Sequence, residues 1–339
     1  MALSEFDIIR CFFDRPQVAA GRSDVLLGIG DDAAVVTVPD DHDLVLCMDT
    51  LVAGVHFPED TSPGSIGHKA LAVNLSDLAA MGAEPAWFTL SVTLPHADED
   101  WLAAFAQDMF RLADHYRVQL VGGDVTRGPL SVTVQAHGLV PRGGALRRAG
   151  AAVGDHIYVT GTLGDAGLAL RLVSQPAPAL RQRLDYPSPR VESGLALRGL
   201  ASAVIDISDG LLADLGHLLE DRGLGAMLEA DDLPRSAGFR ALAGTTESKK
   251  LYYELPLTAG DDYELCFTIP SSRCGEAEAA LADLPGGCTC VGVIESEPGI
   301  RCRHRDDSTW QPDGGQGLSL IHISEPTRPT RASRMPSSA

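Results

Sequence analysis

The sequence is poor in lysine and in aromatic residues. Only Lys69, Lys249 and Lys250 are lysines among its 339 residues, and 5% of the residues are aromatic. It contains no G-x-x-x-x-G-K-[ST] segment, which excludes the phosphate-binding loop of P-loop enzymes. The amino terminus lacks a basic region, and no apolar run reaches the roughly 18 residues of a membrane span. We therefore expect a cytoplasmic protein without a membrane partner.

Positive charge is also scarce. The chain has 27 Lys and Arg against 46 Asp and Glu, a formal net charge of −19. This balance argues against nucleic acid as a partner, because a phosphate backbone needs a basic surface. The seven cysteines are scattered and include no C-x-x-C pair, so we expect them to be reduced and mostly buried. No Cys or His pair has the spacing of zinc ligands.

Length and periodicity predict two domains of the α/β class, or of α+β layers. A chain of 339 residues exceeds one ordinary hydrophobic core, and predicted strands alternate with helices in both halves. We expect an N-terminal domain at 1–148 and a C-terminal α/β domain at 149–318. Residues 319–339 are rich in Ser, Pro, Thr and Arg and resemble translated adapter sequence. We expect this tail to be disordered and non-native.

Five short segments place aspartates directly after apolar runs, in predicted turns. They are Gly30-Asp31-Asp32, Met48-Asp49-Thr50, Gly122-Gly123-Asp124, Asp206-Ile207-Ser208-Asp209-Gly210 and Gly260-Asp261-Asp262. One aspartate in a Gly-rich turn is usually only a turn former or a helix cap. Five such turns without a lysine nearby predict sites at which hard cations hold phosphates. Oxygen ligands spread over several loops suit Mg²⁺.

One predicted helix adds an acid to this set. Apolar residues recur at helical spacing from Ser65 to Met81. Asn74 and Asp77 lie three residues apart on another face of this helix, so we expect them to reach the same cation.

The segment Gly28-x-Gly30-x-x-Ala33 superficially fits the dinucleotide-binding fingerprint. That motif needs a helix after the glycines, whereas residues 33–38 are rich in β-branched Val and Thr and run into Pro39. It also has no use for two carboxylates where the phosphates would lie. We therefore reject a nicotinamide-dependent enzyme.

Taken together, these segments resemble the thiamine-monophosphate kinase family over about residues 4–310. The residues that carry the resemblance are Gly28 to Ala34, Asp49 to Val52, Val55-His56-Phe57, Ala72 to Gly82, Gly122 to Asp124, Asp206 to Leu211 and Gly260 to Leu265. The run from Ala72 to Gly82, with Val55-His56-Phe57 upstream, is specific to that family. The Gly-Asp-Asp and Ser-Asp-Gly turns also occur in its superfamily, which includes aminoimidazole ribonucleotide synthetase and selenophosphate synthetase.

The resemblance implies ATP-dependent conversion of thiamine monophosphate to thiamine diphosphate. It implies a two-domain fold like that of aminoimidazole ribonucleotide synthetase, whose N-terminal sheets pair in a homodimer and which binds ATP and several Mg²⁺ ions between its domains. Carried over by position, it assigns metal binding to Asp31, Met48, Asp49, Asp77, Asp124, Asp206 and Asp209, ATP to Gly123, Asp124, Arg148 and Ser208, and the thiamine phosphate to His56 and Asp261. Asp124 and Asp209 would be the catalytic residues.

Three positions depart from the family pattern. Met48 stands where the family often has a hydroxyl residue, so its ligand would be the backbone carbonyl. Asp261 stands where Glu is common, and its shorter side chain would need a water to reach the substrate. The aromatic residue near the family's carboxy terminus is missing here. Substrate affinity is therefore the property most affected.

Two other functions fit the same residues. One is another ATP-dependent enzyme of the superfamily, of the selenophosphate or aminoimidazole ribonucleotide synthetase type. Selenophosphate synthesis needs a reactive Cys near the amino terminus, and Cys11 has apolar neighbours that predict a core position. The other is a non-enzymatic acidic protein that binds cations.

Overall fold

We describe the fold from a computed structural model covering residues 4–14, 22–172, 177–220, 222–244 and 249–310. Within these ranges two large β-sheets, one of four strands and one of seven, are flanked by helices. No helix in the described ranges is long and apolar enough to cross a membrane. The predicted tail, 319–339, lies outside the described residues.

The amino-terminal segment forms a helix and a small ribbon. Helix α1 (Glu5–Ile8) begins behind Ser4, whose side chain forms a capping box with Asp7, and continues as a π-helical turn at Ile9–Phe13. Strands β1 (Val25–Leu27) and β2 (Val35–Val36) pair antiparallel around the Gly-Asp-Asp turn. The chain after Gly28-x-Gly30 is thus a strand, as the rejection of a dinucleotide fold requires.

The first large sheet consists of β3 (His42–Val52), β4 (Glu84–Leu94), β5 (Gln119–Arg127) and β6 (Ser131–Pro141). Its strand order is β3-β6-β4-β5, and only β4 and β5 run parallel. β3 and β5 are therefore the two edges of this sheet. Helices α2 (Pro63–Ala80) and α3 (Glu99–Tyr116) accompany it.

Helix α2 is the central element of the molecule and is buried along most of its length. It begins after Ser62, whose hydroxyl accepts a hydrogen bond from the Ser65 amide. Gly82, with a φ of 62°, follows its C-terminal end. Gly67 lets α3 approach closely, because a Cβ at this position would lie 2.2 Å from the Phe105 carbonyl oxygen. The predicted helix at 65–81 is confirmed.

The second large sheet lies C-terminal to residue 155. Its strands are β7 (His156–Thr160), β8 (Ala203–Asp206), β9 (Gly225–Glu229), β10 (Leu265–Ile269), β11 (Cys288–Glu295), β12 (Gly299–Arg303) and β13 (Thr309–Trp310), in the order β13-β12-β9-β11-β7-β10-β8. Its helices are α4 (Asp165–Arg171), α5 (Pro178–Asp185), α6 (Val191–Leu197), α7 (Leu211–Glu220), α8 (Ala237–Ala243), α9 (Lys249–Thr258) and α10 (Cys274–Leu281). The predicted mixture of helices and sheets is confirmed.

One apolar core joins the two halves of the chain. It contains Leu75 and Leu78 of α2 and Phe88 of β4, together with Val204 and Phe267 of the second sheet. This shared core brings α2 against the end of β8, where several of the predicted site residues meet.

Two of the five predicted acidic turns are strands instead. Met48-Asp49-Thr50 lies within β3, and Gly122-Gly123-Asp124 lies within β5. Pairing with β4 overrides the turn preference of the glycines, and Gly123 is required there because a Cβ would lie 1.9 Å from the Leu90 carbonyl oxygen.

The prediction that the cysteines are mostly buried is also wrong. All seven are free thiols, but only Cys266 and Cys302 are buried. Cys11 is exposed because it lies on the outer side of the π-helical turn, whereas Phe13 of the same turn enters the core.

Candidate active site

Helix α2 and strand β8 form the centre of the candidate site. Ser76 of α2 and Asp206 at the end of β8 are both buried, and the Ser76 hydroxyl donates a hydrogen bond of 2.8 Å to Asp206 Oδ2. Ser76 was not among the predicted residues, since nothing in its local sequence shows that it reaches a strand 130 residues away. This bond ties the first half of the chain to the second.

Three carboxylates crowd around this contact, and we call Asp49, Asp77 and Asp206 the interface cluster. Burial, and then the charges of Asp206 and Asp49, raise the pKa of Asp77 to about 8, while the charge of Arg148 opposes them. Burial also raises the pKa of Asp206 to about 6, against the Ser76 hydrogen bond and Arg148. The pKa of Asp49 is raised by burial. When all three carboxylates are ionised, the cluster would therefore carry more negative charge than its neighbours compensate, and the ionised form is disfavoured without a cation.

Asn74 has a different role from the predicted one. Its Oδ1 accepts a hydrogen bond of 3.1 Å from the Asp49 amide, and its Nδ2 donates a hydrogen bond of 3.1 Å to the Ala70 carbonyl. The side chain is fully buried. Both ends of the amide are therefore occupied by the backbone. Asn74 fastens α2 to β3 and so places Asp49 beside Asp77, rather than reaching a cation itself.

A buried ion pair adjoins the interface cluster. Lys69 Nζ of α2 lies 3.2 Å from Asp261 Oδ1, and both side chains are at most 6% exposed. The Tyr263 hydroxyl also donates to Asp261 Oδ1, while Asp261 Oδ2 is buried and has no hydrogen-bond partner among the described residues. Asp261 and Tyr263 have φ angles of 67° and 50°, a strained left-handed conformation. Strain and an unpaired buried oxygen together indicate a position that is kept for a ligand.

His56 lies in the same neighbourhood. Its Nδ1 accepts a hydrogen bond of 2.9 Å from the Val52 amide, so the neutral ring carries its proton on Nε2. Burial lowers the pKa of His56 against the charge of Asp261, which keeps the ring neutral near pH 7. His56 and Lys69 also border a cavity of about 10 Å³, enough for one water.

Ser208 and Asp209 follow Asp206 in the turn that enters α7, and both are half-buried. Asp214 of α7 contacts the same turn. Burial and then the charge of Asp206 raise the pKa of Asp214 to about 7. Asp214 was missed in the sequence, where only its place in the first turn of a helix distinguishes it.

The remaining predicted acids lie elsewhere. Asp31, Gly123 and Asp124 line a groove of about 770 Å³ between α1, the Gly-Asp-Asp turn and β5. This groove is at the β5 edge of the first sheet, whereas Asp49 belongs to β3 at the opposite edge. Asp31 and Asp124 are exposed and do not join the interface cluster within one chain.

Two predicted residues flank the interface cluster without touching one another. Arg148 is exposed, yet its charge acts on both Asp77 and Asp206. The Met48 side chain is 63% exposed and points away from Asp49, which follows it in β3. Only the Met48 backbone is thus placed near the cluster.

The donor chemistry of the site suits Mg²⁺. Among the described residues, no three Asp, Glu, His or Cys side chains are already arranged as a metal site. The interface cluster nevertheless supplies oxygen ligands whose mutual repulsion a divalent cation would relieve. Mg²⁺ keeps several waters and binds few protein carboxylates together with substrate phosphates, so a partial set of ligands fits it.

Comparison with known proteins identifies the family. Residues 30–140 match the family described as AIR synthase related protein, N-terminal domain. The chain is 49% identical over 305 residues to thiamine-monophosphate kinase of Salmonella typhimurium, covering 88% of this chain and 92% of that protein.

Solved structures agree with the sequence relatives. The crystal structure of thiamine-monophosphate kinase from Stenotrophomonas maltophilia K279a superimposes with a TM-score of 0.79 at 48% identity, covering 83% of this chain and 92% of that one. AaThiL complexed with AMPPCP and TMP superimposes with a TM-score of 0.70 at 31% identity, covering 84% and 92%. The chain belongs to the thiamine-monophosphate kinase family.

Proposed function

We propose that this protein phosphorylates thiamine monophosphate to thiamine diphosphate with ATP and Mg²⁺. The observation that carries the proposal is the interface cluster, in which Asp206 is buried, Asp49 and Asp77 are half-buried and too little positive charge surrounds them, in a chain 49% identical to an enzyme of this name. AaThiL, at 31% identity, binds AMPPCP, an analogue of ATP, together with TMP. This pair of ligands corresponds to the two proposed substrates.

The site has a division of roles between its residues. We assign Asp31, Asp49, Asp77, Asp124, Asp206, Asp209 and the Met48 carbonyl to Mg²⁺, Gly123, Asp124, Arg148 and Ser208 to ATP, and His56 and Asp261 to thiamine monophosphate. Bound Mg²⁺ would neutralise charge on the phosphates of both substrates. The boundary between the two domains lies near residue 148, so α2 and Asp206 would hold the nucleotide between them.

The chemistry needs no protein base. The attacking oxygen belongs to the substrate's own phosphate, which is already ionised at neutral pH. The protein must instead hold two polyanions in line and offset their charge, which is the main demand of phosphoryl transfer. The neutral His56 ring and the Asp261 carboxylate, fixed by Lys69, can orient the acceptor without taking its proton.

We further propose that two copies pair through their first sheets. Leu44, Leu46 and Met48 on one face of β3 are 37%, 54% and 63% exposed. A long apolar edge strand is an aggregation hazard unless another chain covers it. Pairing of β3 with β5 of a second copy would also bring the partner subunit's Asp31 and Asp124 toward Asp49, which completes the acidic set.

Product analysis tests the function directly. Incubation with ATP, Mg²⁺ and thiamine monophosphate is expected to yield ADP and thiamine diphosphate in equal amounts. ADP without thiamine diphosphate would indicate another ATP-dependent enzyme of the superfamily, and no ADP would indicate a cation-binding protein.

Asp124→Asn and Asp209→Asn are each expected to lower turnover at least about 100-fold with the fold intact, and extra Mg²⁺ should restore it only partly. Asp114→Asn, on the exposed face of α3, is the matched control and should keep full turnover.

The oligomer has its own test. Leu46→Lys is expected to convert the dimer into a monomer in sedimentation velocity, because a charged side chain on an edge strand prevents strand pairing. Leu242→Lys, at another exposed leucine, should leave the dimer intact. A monomeric wild type would contradict the proposed pairing.

A further inference from the structure

The turn between β8 and α7 is held from inside the protein by a single carboxylate oxygen. Asp214 Oδ2 accepts hydrogen bonds from three consecutive amides, those of Ser208 at 3.1 Å, Asp209 at 3.0 Å and Gly210 at 3.1 Å. Asp214 is 4% exposed. Three hydrogen bonds to one buried oxygen hold the turn through more contacts than a helix cap, which usually accepts one or two.

The other side of the turn is fixed by backbone contacts. The Asp261 amide donates to the Ser208 carbonyl at 2.9 Å, and the Tyr263 amide donates to the Ile207 carbonyl at 2.9 Å. Gly210 has a φ of 112°, and a Cβ there would lie 2.8 Å from the Thr258 carbonyl carbon. The turn therefore packs closely against the end of α9, and Asp214 holds its other side.

This arrangement decides which groups of the turn can meet a phosphate. A helix N-terminus with open amides is a ready anion site. At the start of α7 the amides of Ser208, Asp209 and Gly210 already donate their hydrogen bonds to Asp214 Oδ2. The turn can offer its side chains to a ligand, but these three amides cannot serve as phosphate donors.

We propose that Asp214 is a positioning residue for the kinase reaction: its buried carboxylate fixes the turn so that the Ser208 and Asp209 side chains are presented to the nucleotide and its cations. The inference rests on the proposed function, because it takes Ser208 and Asp209 as nucleotide and metal residues. It adds a reason why the site depends on cations, since the helix N-terminus that could replace them is occupied.

Two substitutions separate the placement of the oxygen from its charge. Asp214→Asn keeps an acceptor oxygen at the same distance from the backbone and removes the charge, whereas Asp214→Glu keeps the charge and displaces the oxygen by one methylene. We expect Asp214→Asn to retain most of the turnover. Asp214→Glu is expected to lower kcat about 10- to 100-fold and to raise the Mg²⁺ concentration at half-maximal rate by a similar factor, with the KM for thiamine monophosphate little changed.

A control variant removes the effects of lost stability. Asp98 caps α3 through one hydrogen bond of 3.0 Å to the Trp101 amide, away from the site. Asp98→Ala is expected to lower the unfolding temperature while the Mg²⁺ dependence stays that of the wild type. If Asp214 has only a structural role, Asp214→Glu will also lower the unfolding temperature without changing the Mg²⁺ dependence, and this result would overturn the proposal. Loss of activity in Asp214→Asn together with retained activity in Asp214→Glu would overturn it as well.

Amide exchange provides a readout that needs no activity. In hydrogen–deuterium exchange, peptides spanning residues 204–214 are expected to be protected in the wild type and in Asp214→Asn and to exchange at least about 10-fold faster in Asp214→Glu. Equal protection in all three proteins would refute the positioning role. If the wild type showed this protection but formed no thiamine diphosphate, the proposed function would fail while the hydrogen bonds to Asp214 stood.

Discussion

Two groups of buried or half-buried acids in this protein have opposite electrostatic surroundings. Glu264 accepts hydrogen bonds from Arg190 at 2.5 and 2.6 Å, from Arg183 at 2.7 Å and from Thr160 at 2.7 Å. Burial alone would raise the pKa of Glu264, but the bonds and charges of these arginines lower it overall. In the interface cluster, burial and mutual repulsion instead raise the pKa values of Asp77 and Asp206.

The difference separates a structural acid from acids that await a ligand. Glu264 finds its positive charges within the chain and fastens α5 and α6 to the second sheet. Among the described residues, the positive charge that lowers the pKa of both Asp77 and Asp206 is that of the exposed Arg148, so the cost of removing these carboxylates from water is not offset within the chain. A cation supplied from solution would complete the second group as arginines complete the first.

Removing one charge from the interface cluster gives the largest expected effect. Asp77→Asn is expected to lower turnover by about 100- to 1,000-fold, because the site loses a ligand for the cation that offsets phosphate charge. Without Mg²⁺, the same substitution should raise the free energy of unfolding at pH 7.5, since the wild-type carboxyl, with its pKa raised to about 8, must take up a proton when the protein folds. Turnover and urea denaturation measure the two effects, and a loss of stability would contradict the uncompensated charge.

Removing the charge of Glu264 is expected to lower the free energy of unfolding, whereas removing that of Asp77 is expected to raise it. Glu264→Gln leaves Arg190 buried without its counter-ion and is expected to lower the free energy of unfolding by about 3–5 kcal/mol. Glu276→Gln breaks the exposed pair with Arg273 and serves as the control, with an unchanged denaturation midpoint expected. Equal midpoints for the two variants would show that the Glu264 group does not differ from a surface ion pair.

The smallest expected effect is a pH dependence of stabilisation by Mg²⁺. The pKa of Asp77 is raised to about 8 in the folded protein, so between about pH 4 and pH 8 the folded state binds more protons than the unfolded state. Stability without Mg²⁺ should therefore fall as pH rises through this range. Because protons compete with Mg²⁺ for the same carboxylate, the increase in Tm caused by Mg²⁺ should be larger at pH 8 than at pH 6.

The variant Asp77→Asn tests whether the pH dependence of stabilisation by Mg²⁺ comes from the interface cluster. In Asp77→Asn the increase in Tm at saturating Mg²⁺ should be smaller and nearly equal at the two pH values. At 100 times its dissociation constant, a ligand stabilises a fold by about 2.7 kcal/mol, which thermal denaturation readily detects. The same increase in both proteins at both pH values would place the Mg²⁺ elsewhere.

Local patterns in the sequence are sufficient to predict some of these helices and strands. The spacing of Ile66, Ala70 and Val73 with the glycine at position 82 correctly indicated α2. The strands that carry Asp49 and Asp124 were interpreted as turns, because cross-strand pairing with β6 and β4 is not visible locally. For the same reason the sequence could not show that Asp31 and Asp124 lie at one edge of a sheet and Asp49 at the other.

Contacts between distant residues account for what the sequence missed. Ser76 meets Asp206 across 130 residues, and Lys69 meets Asp261 across the junction of the two halves. The sequence predicts Asp261 as a site residue but does not show that Lys69 is its partner. The positions of Asp77, Asp206, Ser208 and Asp209 near one another follow from the shared core, and their roles in the site remain proposals.

Calorimetric titration with ATP tests the central claim most directly. The titration compares the wild type with and without Mg²⁺, and the double variant Asp77→Asn/Asp206→Asn with Mg²⁺. We predict saturable ATP binding to the wild type only when Mg²⁺ is present, and its loss in the double variant. Equal binding of ATP in all three experiments would contradict a site in which uncompensated carboxylates hold the nucleotide through magnesium.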